Sequence, residues 1–310
     1  MDVFARDYGI ACEGQQLNYT KSGSGKGVAA FTAGQIDFGG SDSPLDRADG
    51  EVAKAAERCQ GNPAWNIRWA SAPSRCPTTS KASTTWCSTR RDREDSTRGQ
   101  IKNWNDPAVA ALNPGKQLPD PRRRPVLPLR RVRHLGQLPE VPQHRDRRRL
   151  EGRGQAVPVG AGHRPGREGS DQVAQSVKAT PGAITYVEWS FPEEPRPRHR
   201  QDRQRCRPGR PDTENVGKAI DGAKVEGEGH DLRVDLDSIY GNKQPGVYPI
   251  VLNTYEIVCS KGYDPETAKA VKAVLTVAAN ADAAQLEEAG YVSLPEAFKQ
   301  KVLGAVDAIA

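Results

Sequence analysis

A chain of 310 residues is long enough for one large or two medium domains with a real core. Yet only 36% of its residues are apolar and 6% aromatic, and the mean hydropathy of −0.72 is low for a compact globule. No run of about 18 apolar residues exists, which excludes a membrane-spanning helix, and the opening MDVFARDYGI lacks the basic start and apolar stretch of a secretory leader, so no export signal is expected in it.

The expected elements form a mosaic. Residues 1–66 read as α/β, with Ala-rich helical stretches and a strand-like LNYT at 17–20. Residues 67–98 lose apolar periodicity and fill with Ser, Thr and Arg. The segment GQIKNWNDPAVAALNPGKQLPD (99–120) reads as a capped helix between loops. Within it Trp104 and Asn105 read as packing and capping residues, because nothing there converges on an anion. From Pro121 to Glu168 there are 13 Arg, no Lys and four acids, a Pro-studded composition that suits neither helix nor strand. EEPRPRHRQDRQRCRPGR (193–210) shares it. Patterned sequence returns in GSDQVAQSVKATPGAITYVEWSF (169–191) and from Glu214 onward, where YPIVLNTYEIV reads as a strand and an Ala-rich helix opens at Pro265.

The net charge of +6, from 45 Lys and Arg against 39 Asp and Glu, is modest, but the Arg-rich stretches concentrate it. They read as disordered linkers, as arms for a nucleic acid, or as coding text translated out of frame. Back-translation favours the last. Synonymous codons for Pro128 to His144 permit a frame one nucleotide later that reads RSDESGTSDNFQKYLNT, and similar shifts serve Glu193 to Cys206 and Arg68 to Ser88. Slipped frames are therefore expected in 67–98, 121–168 and 193–210.

The chemistry-bearing residues cluster early. SGSGKG (22–27) invites a P-loop reading, but Lys26 is followed by Gly27 where a Walker motif needs Ser or Thr, and the glycine spacing is wrong. A Gly/Ser loop entering a helix still offers hydroxyls and free N–H groups to an anion, helped by the positive end of the helix dipole. Ser24 is the best donor candidate, with Gly25 beside it; a plain glycine-rich turn is the alternative. Asp42, in GGSDSPL, is the more informative residue. A carboxylate repels anions in general, but it accepts the proton that phosphate keeps near neutral pH and sulfate does not. As a helix or turn cap, SDSP would explain the same residue without a ligand. Cys76, Cys87 and Cys206 lie in the suspect stretches, leaving Cys12, Cys59 and Cys259, and no Cys or His spacing suggests zinc or another metal. His134, His144, His163 and His199 also fall in suspect text, so no Ser-His-Asp arrangement supports a hydrolase, and no enzyme is expected.

Four blocks carry a family resemblance: LNYTKSGSGKGVAAFTAGQIDFGGSDSPL (17–45), GQIKNWNDPAVAALNPGKQLP (99–119), residues 169–191, and YPIVLNTYEIV with the helices that follow (248–310). Over roughly two thirds of its length the chain is similar to the phosphate-specific solute-binding proteins of bacterial ABC phosphate importers. The string RSDESGTS resembles that family's arginine-containing phosphate loop. The resemblance implies an α/β, two-lobed type II periplasmic-binding-protein fold, with lobe one at 1–66 plus 247–310 and lobe two at 67–246, the latter disrupted by the suspect segments. It implies inorganic phosphate held in an interlobe cleft by Ser24, Gly25 and Asp42, with Ser170 and Asp171 near the ligand but not touching it. Hinge closure would capture phosphate for the permease and ATPase subunits of an importer, outside the cytoplasm on a lipid-anchored parent, with no cofactor, no covalent chemistry, no nucleic-acid partner and no direct membrane span. A Cys12–Cys59 disulfide would suit that compartment, and two unpaired buried thiols are the alternative.

Two departures weaken the expected site. The family's first ligand loop falls upstream of Met1, and PLRRVRHLG (128–136) supplies charge in place of the Ser-Gly-Thr donors of the arginine loop. Weak phosphate binding, or none, is expected, because each lost hydrogen bond to a charged ligand costs roughly 1.5–3 kcal/mol. The competing expectations are an Arg-rich nucleic-acid-binding protein, which the lack of interleaved aromatics disfavours, and an inactive pseudogene product.

Overall fold

The structure, a computed structural model, describes residues 1–20, 22–75, 103–111, 113–115, 118, 124–125, 175–180, 183–184, 187–188, 213–242, 244–248 and 251–310. Ser170, Asp171, residues 76–98, nearly all of 121–168, all of 193–210 and the expected disruption of lobe two lie outside the described residues.

Helix α1 (Asp2–Ala11) sets Phe4 and Tyr8 one turn apart, and both are buried. The Phe4 ring packs on Trp69 at 4.3 Å. Helix α2 (Ser24–Thr32) starts after Gly23, whose φ of 83° few other residues tolerate, and buries Gly27, Val28 and Phe31. Strand β1 (Gly39–Ser41), helix α3 (Glu51–Arg58) and strand β2 (Ala64–Arg75) follow. The segment 17–20, expected as a strand, is not one: three of its four side chains face solvent, and a strand needs a face to bury.

Strand β2 continues through nine residues of the stretch that composition marks as unpatterned. Ile67, Trp69, Ala70 and Ala72 are buried, as are Arg68 and Ser71. The ladder explains why. A long antiparallel partner provides backbone hydrogen bonds from Ala64↔Cys259 to Pro73↔Val251, with one irregularity between Arg68 and Ala70. Arg68 is accommodated by donating from Nη2 to Ser71 Oγ at 2.8 Å and by lying 5.0 Å from the Phe298 ring centre. Ser71 in turn donates to Asn253 at 3.2 Å.

In the second unit, helix α4 (Pro107–Ala111) buries Val109, and Trp104, expected as a packing residue, is buried. Its cap is Asp106, which accepts from Ala108 N–H at 3.0 Å, and not Asn105. Strand β3 (Arg124–Pro125) runs parallel to β4 (Ala183–Ile184), while β5 (Val187–Glu188) pairs with Ser74 and Arg75 of β2.

Helix α5 (Thr213–Asp221) buries Val216, Ala219 and Ile220, and α6 (Leu236–Tyr240) is capped by Asp235. Strand β6 (Val251–Cys259) is the long partner of β2 and pairs on its other edge with β1. Helix α7 (Pro265–Ala279) opens at the expected proline, with Asp264 accepting from the N–H groups of Glu266 and Thr267. Helices α8 (Ala283–Glu288) and α9 (Glu296–Asp307) close the chain.

By contacts, the described residues of Met1–Pro73 and Gly209–Ala310 form one unit, and those of Ser74–Arg131 and Leu138–Pro208 another. This division differs from the expected lobe limits at 66 and 247. The segment 225–234 illustrates the difference: Asn66 donates from N–H and Nδ2 to Asp231, Leu232 N–H donates to Asn66 O, and Val234 N–H reaches the Tyr255 hydroxyl.

The core of the first unit gathers Val28, Phe31, Leu45, Ala55, Cys59, Ile257 and Cys259, with Ala64 and Tyr263 against it. Each large side chain buried there contributes about 1.5–3 kcal/mol. Cys59 bonds to Cys259, and Cys12 is a free thiol, so the expected Cys12–Cys59 pairing is corrected. The ladder decides it: Cys259 lies opposite Ala64, and Cys59 caps α3 just before β2 begins.

Candidate functional site

The first unit assembles the site from α2, the end of β1 and the middle of β6. Gly27 makes the assembly close. A Cβ there would stand 2.4 Å from Gly40 O, so only glycine lets α2 lie this near β1. The contact carries Ser24, one turn earlier on α2, to Asp42, just beyond β1. Ser24 Oγ donates to Asp42 Oδ2 at 3.0 Å, and Asp42 N–H donates back to Ser24 Oγ at 3.1 Å.

Ser24 and Asp42 are both half-buried and so accessible from solvent. At the head of α2, the N–H groups of Lys26 and Gly27 go to Gly23 O, whereas those of Ser24 and Gly25 have no acceptor among the described residues. Two free amides, a hydroxyl and a carboxylate therefore meet at the positive end of a nine-residue helix. That set can hold a tetrahedral oxyanion that retains a proton: the amides and hydroxyl donate, and the carboxylate accepts.

Two residues that sequence reasoning passed over complete the corner. Thr254 Oγ1 donates to Asp42 Oδ1 at 3.5 Å, so both carboxylate oxygens are held from the protein side. Glu256, two residues on and opposite Gly40 in the ladder, is 2% exposed. Burial pushes its carboxyl up to about 8; the Met1 amino group opposes this and Asp42 adds to it. Both residues lie in YPIVLNTYEIV, where a Thr and a Glu alternating through an apolar strand are a legible signal of polar side chains on one sheet face.

Ser170 and Asp171 lie outside the described residues. Among the described residues, no group of three or more His, Cys, Asp and Glu side chains is placed to hold a metal, and no helix is long and apolar enough to cross a membrane.

The sequence profile of the PBP superfamily domain matches residues 1–282. The chain is 38% identical to the phosphate-binding protein PstS 3 of Mycobacterium leprae (strain TN), over 100% of this chain and 84% of that one. It is 36% identical to the phosphate-binding protein PstS2 of Mycobacterium bovis (strain BCG / Pasteur 1173P2), with the same coverage. Among solved structures, the periplasmic phosphate-binding protein PfluDING bound with phosphate matches with a TM-score of 0.66 at 18% identity, over 97% of this chain and 91% of that one. An ABC-type phosphate transport receptor from Vibrio cholerae matches with a TM-score of 0.56 at 13% identity, over 95% of each chain. The structural likeness shows the fold, which is the two-lobed type II periplasmic-binding-protein fold expected from the sequence.

Proposed function

We propose, because this chain belongs to the PstS family of phosphate-binding proteins within the PBP superfamily, that it binds inorganic phosphate at the head of α2 and passes it to an ABC importer. The single observation that carries this reading is the Ser24–Asp42 pair, joined at 3.0 Å beside two helix amides that have no acceptor among the described residues. Because Asp42 N–H fixes the Ser24 oxygen as an acceptor, the serine proton is free to turn from Asp42 toward an arriving oxyanion. Asp42 Oδ2 then becomes available to the proton that phosphate carries. Gly25 and Ser24 N–H complete the donors from this side. Sulfate, with no proton at neutral pH, would face an unrelieved carboxylate.

No bond in the ligand is made or broken, so the protein is a carrier and not an enzyme, and it works outside the cytoplasm with permease and ATPase subunits as partners. The altered arginine loop makes binding weaker than in intact members of the family. Phosphate and sulfate titrated calorimetrically into the full chain and into Asp42→Asn test it. The wild type is expected to prefer phosphate, and Asp42→Asn to lose at least about tenfold of that preference, as fits the loss of one charge-assisted hydrogen bond. Equal phosphate and sulfate binding by the wild type, or an unchanged preference in the variant, overturns the reading.

A further inference from the structure

Glu256 does not belong to the donor set just described, yet its placement ties it to that set. Its neighbours across the ladder are Gly40 on β1 and Ile67 on β2, neither charged. A Cβ on Gly40 would stand 3.6 and 3.7 Å from the two carboxyl oxygens, so the glycine leaves the carboxyl directly against the β1 backbone, two residues before Asp42. Thr254, on the same face of β6, reaches Asp42 itself. Glu256 Oε2 is fully buried with no hydrogen-bond partner among the described residues. An ionised carboxylate left in that state is costly, and a protonated one far less so. Among the described residues, the charged groups acting on it are the Met1 amino group, at the head of α1, and Asp42, beyond β1.

We infer that Glu256 sets the affinity of this site for phosphate: as a neutral acid it adds no charge to that of Asp42 beside the anion, and on losing its proton it adds a second negative charge near the anion and weakens the hold. This rests on the phosphate reading above. By linkage, bound phosphate must in turn make Glu256 harder to ionise. The carboxyl is an affinity-determining group that need not touch the ligand.

The test is phosphate titration of the full chain and of Glu256→Gln at constant ionic strength. Phosphate's own protonation affects both proteins alike and cancels in the ratio of their dissociation constants. From about pH 6.5 to about pH 9.5, that ratio, wild type over variant, is expected to rise by about tenfold or more. A ratio independent of pH overturns the inference and leaves the phosphate reading standing. Absence of phosphate binding by both proteins at every pH overturns both. Should Glu256→Gln fail to fold, carbon-13 NMR of the Glu256 carboxyl in the wild-type chain decides the matter: its titration midpoint is expected to move upward when phosphate is added, and an unmoved midpoint refutes the role.

Discussion

Strand β6 has two stretches that the fold treats differently, the one around Thr254 in its middle and the one that ends at Cys259. On the Thr254 side, β6 reaches the half-buried Asp42, whose partner Ser24 heads a helix with two amides that have no acceptor among the described residues, and it carries a Glu256 oxygen that has no partner among them. At the Cys259 end the polar groups are consumed. Cys259 is bonded to Cys59, its N–H donates to the Tyr263 hydroxyl at 2.9 Å, and that hydroxyl donates to Asp37 O at 2.7 Å. Burial pushes the Tyr263 phenol up to about 12, so it stays a neutral donor at any ordinary pH. Hydrogen-bonding capacity left unfilled in one stretch is what a ligand can use. Capacity filled in the other anchors the strand that presents it. If this division is right, damage at the Cys259 end should change stability and spare ligand preference, while damage on the Thr254 side should change both.

The largest effect is expected at the anchored end. Cys59 and Cys259 close a loop with a sequence separation of 200. On the chain-entropy estimate, replacing both with Ala removes about 5 kcal/mol of stability. Denaturant unfolding of the double variant measures it, and phosphate-over-sulfate preference, where the protein is still folded, should stay as in the wild type. A preference lost together with the disulfide would show that the two stretches of β6 are not independent.

Gly27→Ala comes next and attacks the Thr254 side. The added methyl would lie 2.4 Å from Gly40 O, a contact that helix and strand can relieve only by moving apart. Overpacking of this kind costs about 1–3 kcal/mol, and the same movement pulls Ser24 from Asp42, so phosphate affinity should fall with stability. Gly25→Ala is the comparison for stability alone. A Cβ at Gly25 meets nothing within 4 Å, and Ala in place of Gly in a helix is expected to raise stability by about 0.5–1 kcal/mol. Equal losses in the two variants would show that the close approach of α2 to β1 has no special role.

How far these features are visible in the sequence depends on distance along the chain. The Gly/Ser loop, the helix after it and the carboxylate in SDSPL are local patterns, and Ser24 and Asp42 lie only 18 positions apart. Asp264 and Pro265 announce α7 in the same way. The Cys59–Cys259 bond leaves no local trace, because a ladder and not spacing brings the two sulfurs together, and the compartment that suited a Cys12–Cys59 bond suits this one equally. Residues 67–72 look unpatterned because a central strand buries both its faces, including Arg68 and Ser71, so no alternation survives to be read. Glu256 was visible as a charge in an apolar strand, but its significance required knowing that Gly40 stands opposite it.

Arg58 is the exception at the anchored end, and it tests the division most finely. Its guanidinium lies 5.2 Å from the ring centres of both Phe31 and Tyr263, yet its Nε is buried without a hydrogen-bond partner among the described residues. Two opposing contributions are in play. The cation gains about 0.5–1 kcal/mol or more from each ring and a few tenths from the carboxyl end of α3, where it stands in the last turn. Leaving that N–H without an acceptor costs about 1 kcal/mol or more, because the Nε atom itself is out of contact with solvent although Arg58 as a whole is half-buried. The balance predicts that Arg58→Met, which keeps the apolar stem and removes the charge, lowers stability by about 1 kcal/mol. Arg58→Lys, which keeps charge and stem but loses the planar group between the rings, should fall between the two. Denaturant midpoints for the three proteins give the order directly. A Met variant as stable as the wild type would mean that the rings hold only the stem, and that the anchored end, like the Thr254 side, carries an unfilled polar group that nothing offsets.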